Sequence, residues 1–199
     1  GKLKEAEKLL LKAISLKPGS AILNTNLGGI LKDLKKLNEA EVFTRRALDI
    51  DPKYAIANLN LGIILSDLGK SEEAEIYVRK AIQIKSNLDE AHSVLGNILM
   101  AVGKYQEAEL STRNAISLEP DKADYHYNLG NILNLSGKVK DARISLMKAI
   151  KINPNFTSAY INLAAILINT GEIKEAELLI SKAIQIKPDL EEAYYNLGY

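Results

Sequence analysis

The stretch "YHYNLGNIL", Tyr125 to Leu133, gathers a histidine, two tyrosines and two asparagines three residues apart. Taken alone it has the composition of a site. Its core recurs: "NLGG" at Asn26, "NLGI" at Asn60, "VLGN" at Val94, "NLGN" at Asn128, "NLAA" at Asn162 and "NLGY" at Asn196, each 34 residues after the last. Three further series keep the same step. Alanine recurs at Ala6, Ala40, Ala74, Ala108, Ala142 and Ala176, and again at Ala13, Ala47, Ala81, Ala115, Ala149 and Ala183. Proline recurs at Pro18, Pro52, Pro120, Pro154 and Pro188, with Ser86 as the one departure. A fixed period of this size marks stacked supersecondary units.

One period reads as two helices. His126, Leu129, Gly130 and Leu133 recur at three and four residues, one face of a helix. "SGK" at Ser136–Lys138 interrupts, with Gly137 able to take the left-handed conformation that ends a helix. A second face follows with Ala142, Leu146, Ala149 and Ile150, and Pro154 stops it. Each unit is thus an inner helix, a tight turn, an outer helix and a short loop. Gly28, Gly62, Gly96, Gly130 and Ala164 fall where the two helices cross, so close packing must offset the cost of about 1 kcal/mol per helical glycine. Acidic pairs, Glu39/Glu41, Glu73/Glu75, Glu107/Glu109 and Glu175/Glu177, open the outer helices and read as solvated charges favouring the helix dipole. In the fourth unit they become Asp141 and Arg143.

Leu-Gly, alanines twelve and nineteen residues beyond the glycine, then proline, all on a 34-residue step, resemble the tetratricopeptide repeat. The resemblance covers essentially the whole chain and implies an all-α, right-handed α-solenoid of stacked helix-turn-helix repeats. The expected organisation is a single array over 1–199. It starts with an outer helix of a truncated repeat over 1–20. Full repeats follow at 21–54, 55–88, 89–122, 123–156 and 157–190, then a partial inner helix at 191–199. That register also suggests a fragment of a larger protein. Where the family commonly carries an aromatic residue before the Leu, this chain has Asn24, Asn58, His92, His126 and Tyr160, and Lys35 replaces a turn glycine.

Composition removes several functions. The 26 Lys+Arg against 25 Asp+Glu give a net charge of +1, no reason to expect nucleic acid or an anionic membrane as partner. There are no cysteines, so disulfides, thiolate catalysis and Cys-type zinc sites are excluded. No apolar run approaches the ~20 residues of a membrane span, and no signal peptide opens the chain. A cytoplasmic location is the expectation, and the high Ile, Lys and Asn usage points to a bacterial gene of low GC content. No phosphate loop, metal-ligand spacing or triad arrangement appears, so neither a cofactor nor an enzyme activity is expected. His92 and His126, one period apart, have no second ligand nearby and read as packing residues.

The asparagines remain. Asn26, Asn60, Asn128, Asn162 and Asn196 precede the buried Leu, and a helix turns ~100° per residue, so they face away from the core. In this family that direction is the concave groove. Asn97 and Asn131 lie three residues on, and Asn134 one turn further. A carboxamide offers a donor and an acceptor together, so a column of them can pair with successive peptide groups. This is similar to the asparagine ladder of the O-GlcNAc transferase repeats, and the resemblance implies recognition of a peptide backbone. The other reading is that polar residues merely keep the groove wet. Tyr127 among these amides has the composition of a binding anchor. A clamp for a C-terminal carboxylate cannot be built from Ile22, Ile56, Glu90, Asp124, Ser158 and Glu192, and an RNA-reading groove would be basic. Two functions follow. The first is a scaffold binding an extended peptide or partner protein in the groove. The alternative is head-to-tail self-association through uncapped ends.

Overall fold

A computed structural model describes residues 1–188. These form eleven α-helices and no strand: α1 (Lys2–Leu16), α2 (Ala21–Asp33), α3 (Leu37–Ile50), α4 (Ala55–Asp67), α5 (Ser71–Ile84), α6 (Asp89–Ala101), α7 (Tyr105–Leu118), α8 (Ala123–Leu135), α9 (Val139–Ile152), α10 (Thr157–Asn169) and α11 (Ile173–Ile186). The even-numbered helices are the inner ones. The chain divides into two compact units, Gly1–Val102 and Gly103–Tyr199. In the first, α2 packs on α3 and α4 on α5; in the second, α8 packs on α9 and α10 on α11. This is the all-α solenoid packing expected of stacked helix pairs.

The cores are built as the spacing predicts. Leu27, Leu31 and Ile64 lie fully buried with Ala40 in the first unit; Leu133, Leu146, Ala149 and Ile180 do so in the second. Each large aliphatic side chain withdrawn from water contributes about 1.5–3 kcal/mol. The glycines sit at helix crossings. A Cβ at Gly130 would lie 2.7 Å from Leu146 Cγ and 3.3 Å from the Ala142 carbonyl. At Gly62 it would lie 3.2 Å from the Ala74 carbonyl and overlap Val78 Cγ2.

Each inner helix ends in a turn with a positive φ: Gly69, Gly103, Gly137 and Gly171 at 76–84°, and Lys35 at 61°. In the first of these turns the Lys36 amide donates to the Leu31 carbonyl at 2.9 Å and the Lys35 amide to Lys32 at 2.9 Å. These are the two reversed bonds that close a helix on a left-handed residue. A side chain in that conformation costs about 1–2 kcal/mol. Lys35→Gly is therefore expected to raise stability by roughly 1 kcal/mol, read as a higher urea midpoint; an unchanged or lower midpoint would show the strain is absent.

Candidate functional site

In the second unit the exposed face of the inner helices carries a bonded polar cluster. Asn162 on α10 donates both amide hydrogens to residues of α8, to Asn131 Oδ1 at 2.7 Å and to Tyr127 Oη at 3.2 Å. The Tyr127 ring rests on Phe156, which precedes α10, with centroids 4.9 Å apart and planes tilted by 40°. These partners fix the tyrosine and both carboxamides. Left over are the two Asn131 amide hydrogens, the Asn162 carbonyl oxygen and the Tyr127 hydroxyl hydrogen. Residues three and four apart share a helix face, so Asn128 on α8 belongs to the same row as Asn131, and both are half-buried. Asn134, one turn on, is exposed, and its side chain bonds to none of the described residues.

The first unit builds no such cluster. Asn26 is exposed and Asn60 half-buried. Asn60 Nδ2 lies 3.9 Å from where a Cβ at Gly29 would be. Gly29 occupies the repeat position of Asn131, so no side chain is present there to bond. Asn97 is half-buried, and its buried Oδ1 has no hydrogen-bond partner. Asn196 lies outside the described residues, as does the partial inner helix expected at 191–199. Phe156 was not legible as a site residue, because it lies in a loop position and its contact with Tyr127 exists only once α8 and α10 stack.

Two sequence expectations need correction. His92 and His126 do more than fill space. Each Nε2 donates to the loop carbonyl six residues back, Ser86 at 2.9 Å and Pro120 at 2.8 Å. Asn58 reaches the Pro52 carbonyl at 3.3 Å and Tyr160 the Pro154 carbonyl at 3.2 Å from the same repeat position. Four of the five side chains at this repeat position thus donate to the loop carbonyl six residues back, while the fifth, Asn24, donates to the Ser20 carbonyl at 2.9 Å.

Nor are the acidic residues of the outer helices all simply solvated. Glu41 and Glu109 have side chains only 14% and 15% exposed. Each accepts from an arginine one turn on, Arg45 or Arg113, and from a lysine in the next tight turn, Lys70 at 2.9 Å or Lys138 at 2.7 Å. The lysine bond, helped by the arginine, lowers both carboxyl pKa values. At the last junction the charges are exchanged: Arg143 donates to both oxygens of Glu172, at 2.5 and 3.0 Å. Partners 29 residues apart meet only when one repeat stacks on the next.

Among the described residues no group of three His, Asp or Glu is placed to hold a metal ion, and no helix is long and apolar enough to cross a membrane.

Tetratricopeptide repeat profiles match residues 21–54 and 123–156, and 43–76 and 145–177, and a TPR repeat profile matches 96–136. No curated protein sequence matches. Several solved structures share the fold. One is YrrB, a TPR protein described as having an unusual peptide-binding site (22% identity, TM-score 0.72, covering 96% of this chain and 98% of that one). Another is MamA from Desulfovibrio magneticus RS-1 (18% identity, TM-score 0.76, covering 86% and 97%). A third is PilW, a type IV pilus biogenesis factor (20% identity, TM-score 0.91, covering 98% and 90%). Stacked helix pairs, glycines at the α2/α3, α4/α5 and α8/α9 crossings and these matches along the 34-residue register lead to one conclusion: the chain belongs to the tetratricopeptide repeat family.

Proposed function

We propose that this protein-interaction scaffold holds an extended peptide against the inner-helix face of its second unit, by its backbone. The observation that carries the reading is the Tyr127–Asn131–Asn162 cluster. Its internal bonds consume the hydrogens of one amide and orient the rest. The remaining groups, an N–H pair on Asn131 and a carbonyl oxygen on Asn162, match the carbonyl and amide of a peptide group. Side chains already held in place give up little rotamer entropy on binding. YrrB, which shares the fold, is described as having a peptide-binding site, and that supports the same class of ligand here.

The test is isothermal titration against short random-sequence peptides. Asn131→Ala removes both the free donors and an acceptor that holds Asn162, and is expected to weaken binding roughly tenfold, about 1.4 kcal/mol. Asn114→Ala, on an exposed residue of the outer helix α7 away from the cluster, is the control expected to change nothing. Equal affinities for wild type and Asn131→Ala would remove the cluster from the mechanism.

A further inference from the structure

The outer face of the second unit carries a feature that the cluster does not explain. Between α9 and α11, with α10 as floor, runs an open groove of about 470 Å³. Its walls are mostly apolar, with Met147 and Ile150 on α9, Leu163 and Leu167 on α10, and Leu178 and Leu179 on α11. Met147 is 58% exposed and Leu178 72%. Such large apolar side chains facing water side by side call for an occupant.

The equivalent place in the first unit shows what has changed. There, between α3 and α5, Arg45 stands in the position of Met147 and Tyr77 in that of Leu179. Arg45 donates to Glu41 at 2.9 Å, to Tyr77 at 3.1 Å and to Glu73 at 2.6 Å, spanning the two helices with charge. The residual pocket is about 230 Å³ and lined by Arg45, Asp49, Tyr77 and Lys80 among others. Between α9 and α11 the bridging arginine is gone from that position. The cation has moved one turn back to Arg143, where Glu172 engages it. The groove is thereby left open and greasy.

The rim identifies the occupant. Of the charged side chains, Arg143 and Lys151 on α9 and Glu175 on α11 line the groove, and α9 as a whole carries Lys140, Arg143, Lys148 and Lys151 against a single carboxylate, Asp141. Of the cations, only Arg143 is ion-paired among the described residues. Helix α11 is balanced, Lys174 and Lys182 against Glu175 and Glu177. An apolar trough between two helices with one basic wall suits an amphipathic helix that lays an apolar stripe into it and turns acidic residues toward α9. The geometry points to a second docking surface, on the outer face between α9 and α11, for an acidic amphipathic helix of a partner protein.

The probe is a fluorescent helical peptide with leucines at i, i+3, i+4 and i+7 and glutamates flanking them, compared with its lysine-flanked counterpart by anisotropy. The glutamate peptide is expected to bind at least about tenfold more tightly than the lysine one. Met147→Arg installs the residue found in this position at Arg45, Arg79 and Arg113, and is expected to cut binding of the glutamate peptide roughly tenfold while leaving the fold intact. Leu178→Gln, on an exposed side chain, should do the same. Asn131→Ala should leave this binding unchanged, which separates the outer groove from the inner-face cluster. Equal binding of the two peptides, or insensitivity to both groove variants, overturns the proposal. Sedimentation showing a dimer that Met147→Arg dissolves would also overturn it, by assigning the groove to a second copy of the chain.

Discussion

Gly62→Ala is expected to destabilise the protein by about 2 kcal/mol, although alanine is the better helix former by about 1 kcal/mol. The added methyl would overlap Val78 Cγ2, and Val78 is fully buried. A valine in a helix keeps one side-chain rotamer about nine times in ten, so it cannot swing clear cheaply. Removing the obstacle reverses the sign. In Val78→Ala the remaining close atoms are the Ala74 carbonyl at 3.2 Å and the residue-78 amide nitrogen at 3.4 Å, which a methyl at residue 62 meets at the near edge of contact. In that background Gly62→Ala partly fills the cavity and is expected to stabilise by about 1 kcal/mol. Urea unfolding of the two single variants and the double one completes the cycle. The same effect of Gly62→Ala in both backgrounds would show that the crossing is not what requires glycine.

The second large effect is at the junction between α7 and the turn before α9. Glu109→Arg would set a cation against Arg113 and Lys138, the two groups the carboxylate now accepts from at 2.9 and 2.7 Å. Loss of the bonds and the new repulsion are expected to cost roughly 2 kcal/mol. Adding Lys138→Glu recreates the polarity that Arg143 and Glu172 already use, and should recover most of it. Failure of the double variant to recover would show that geometry, not charge pairing, holds the junction. Acid provides a parallel test. Glu41 and Glu109 have lowered pKa values in the folded protein, so their contribution is complete above the unfolded carboxyl value of about 4.3 and fades as pH falls through the lower folded one. Stability should therefore be flat from neutral pH to about 5 and fall below about 4, less steeply in Glu109→Gln.

The 34-residue step made the helix pairs, their turns and the small residues at their crossings legible in advance, because all of these are local or repeat in register. The polar face was partly legible. Asn131, Asn162 and Tyr127 could be placed on one side of their helices by angular spacing, but not their mutual bonds, since those join residues 31 and 35 apart. The acidic residues misled for the same reason. Glu41 and Glu109 open helices, where a carboxylate has a sufficient local explanation, and their lysines lie across a repeat boundary. Met147 gave no signal as a single residue. Its meaning emerges from the arginines that stand in its position elsewhere.

The exchange of charge at Arg143 and Glu172 also bears on how such a chain finds its native register. An array of near-identical units invites mispairing, in which a helix docks one unit out of step with little loss of apolar contact. A slip that brought Arg143 to a turn bearing Lys70 or Lys138 would set cation against cation, and one that brought Glu109 to Glu172 would set carboxylate against carboxylate. The reversed pair thus labels one junction among otherwise interchangeable ones and taxes those kinetic traps. By the same logic, duplication or deletion of a single unit at that junction leaves a mismatch for later substitution to repair, which makes it the least recombinable seam in the array.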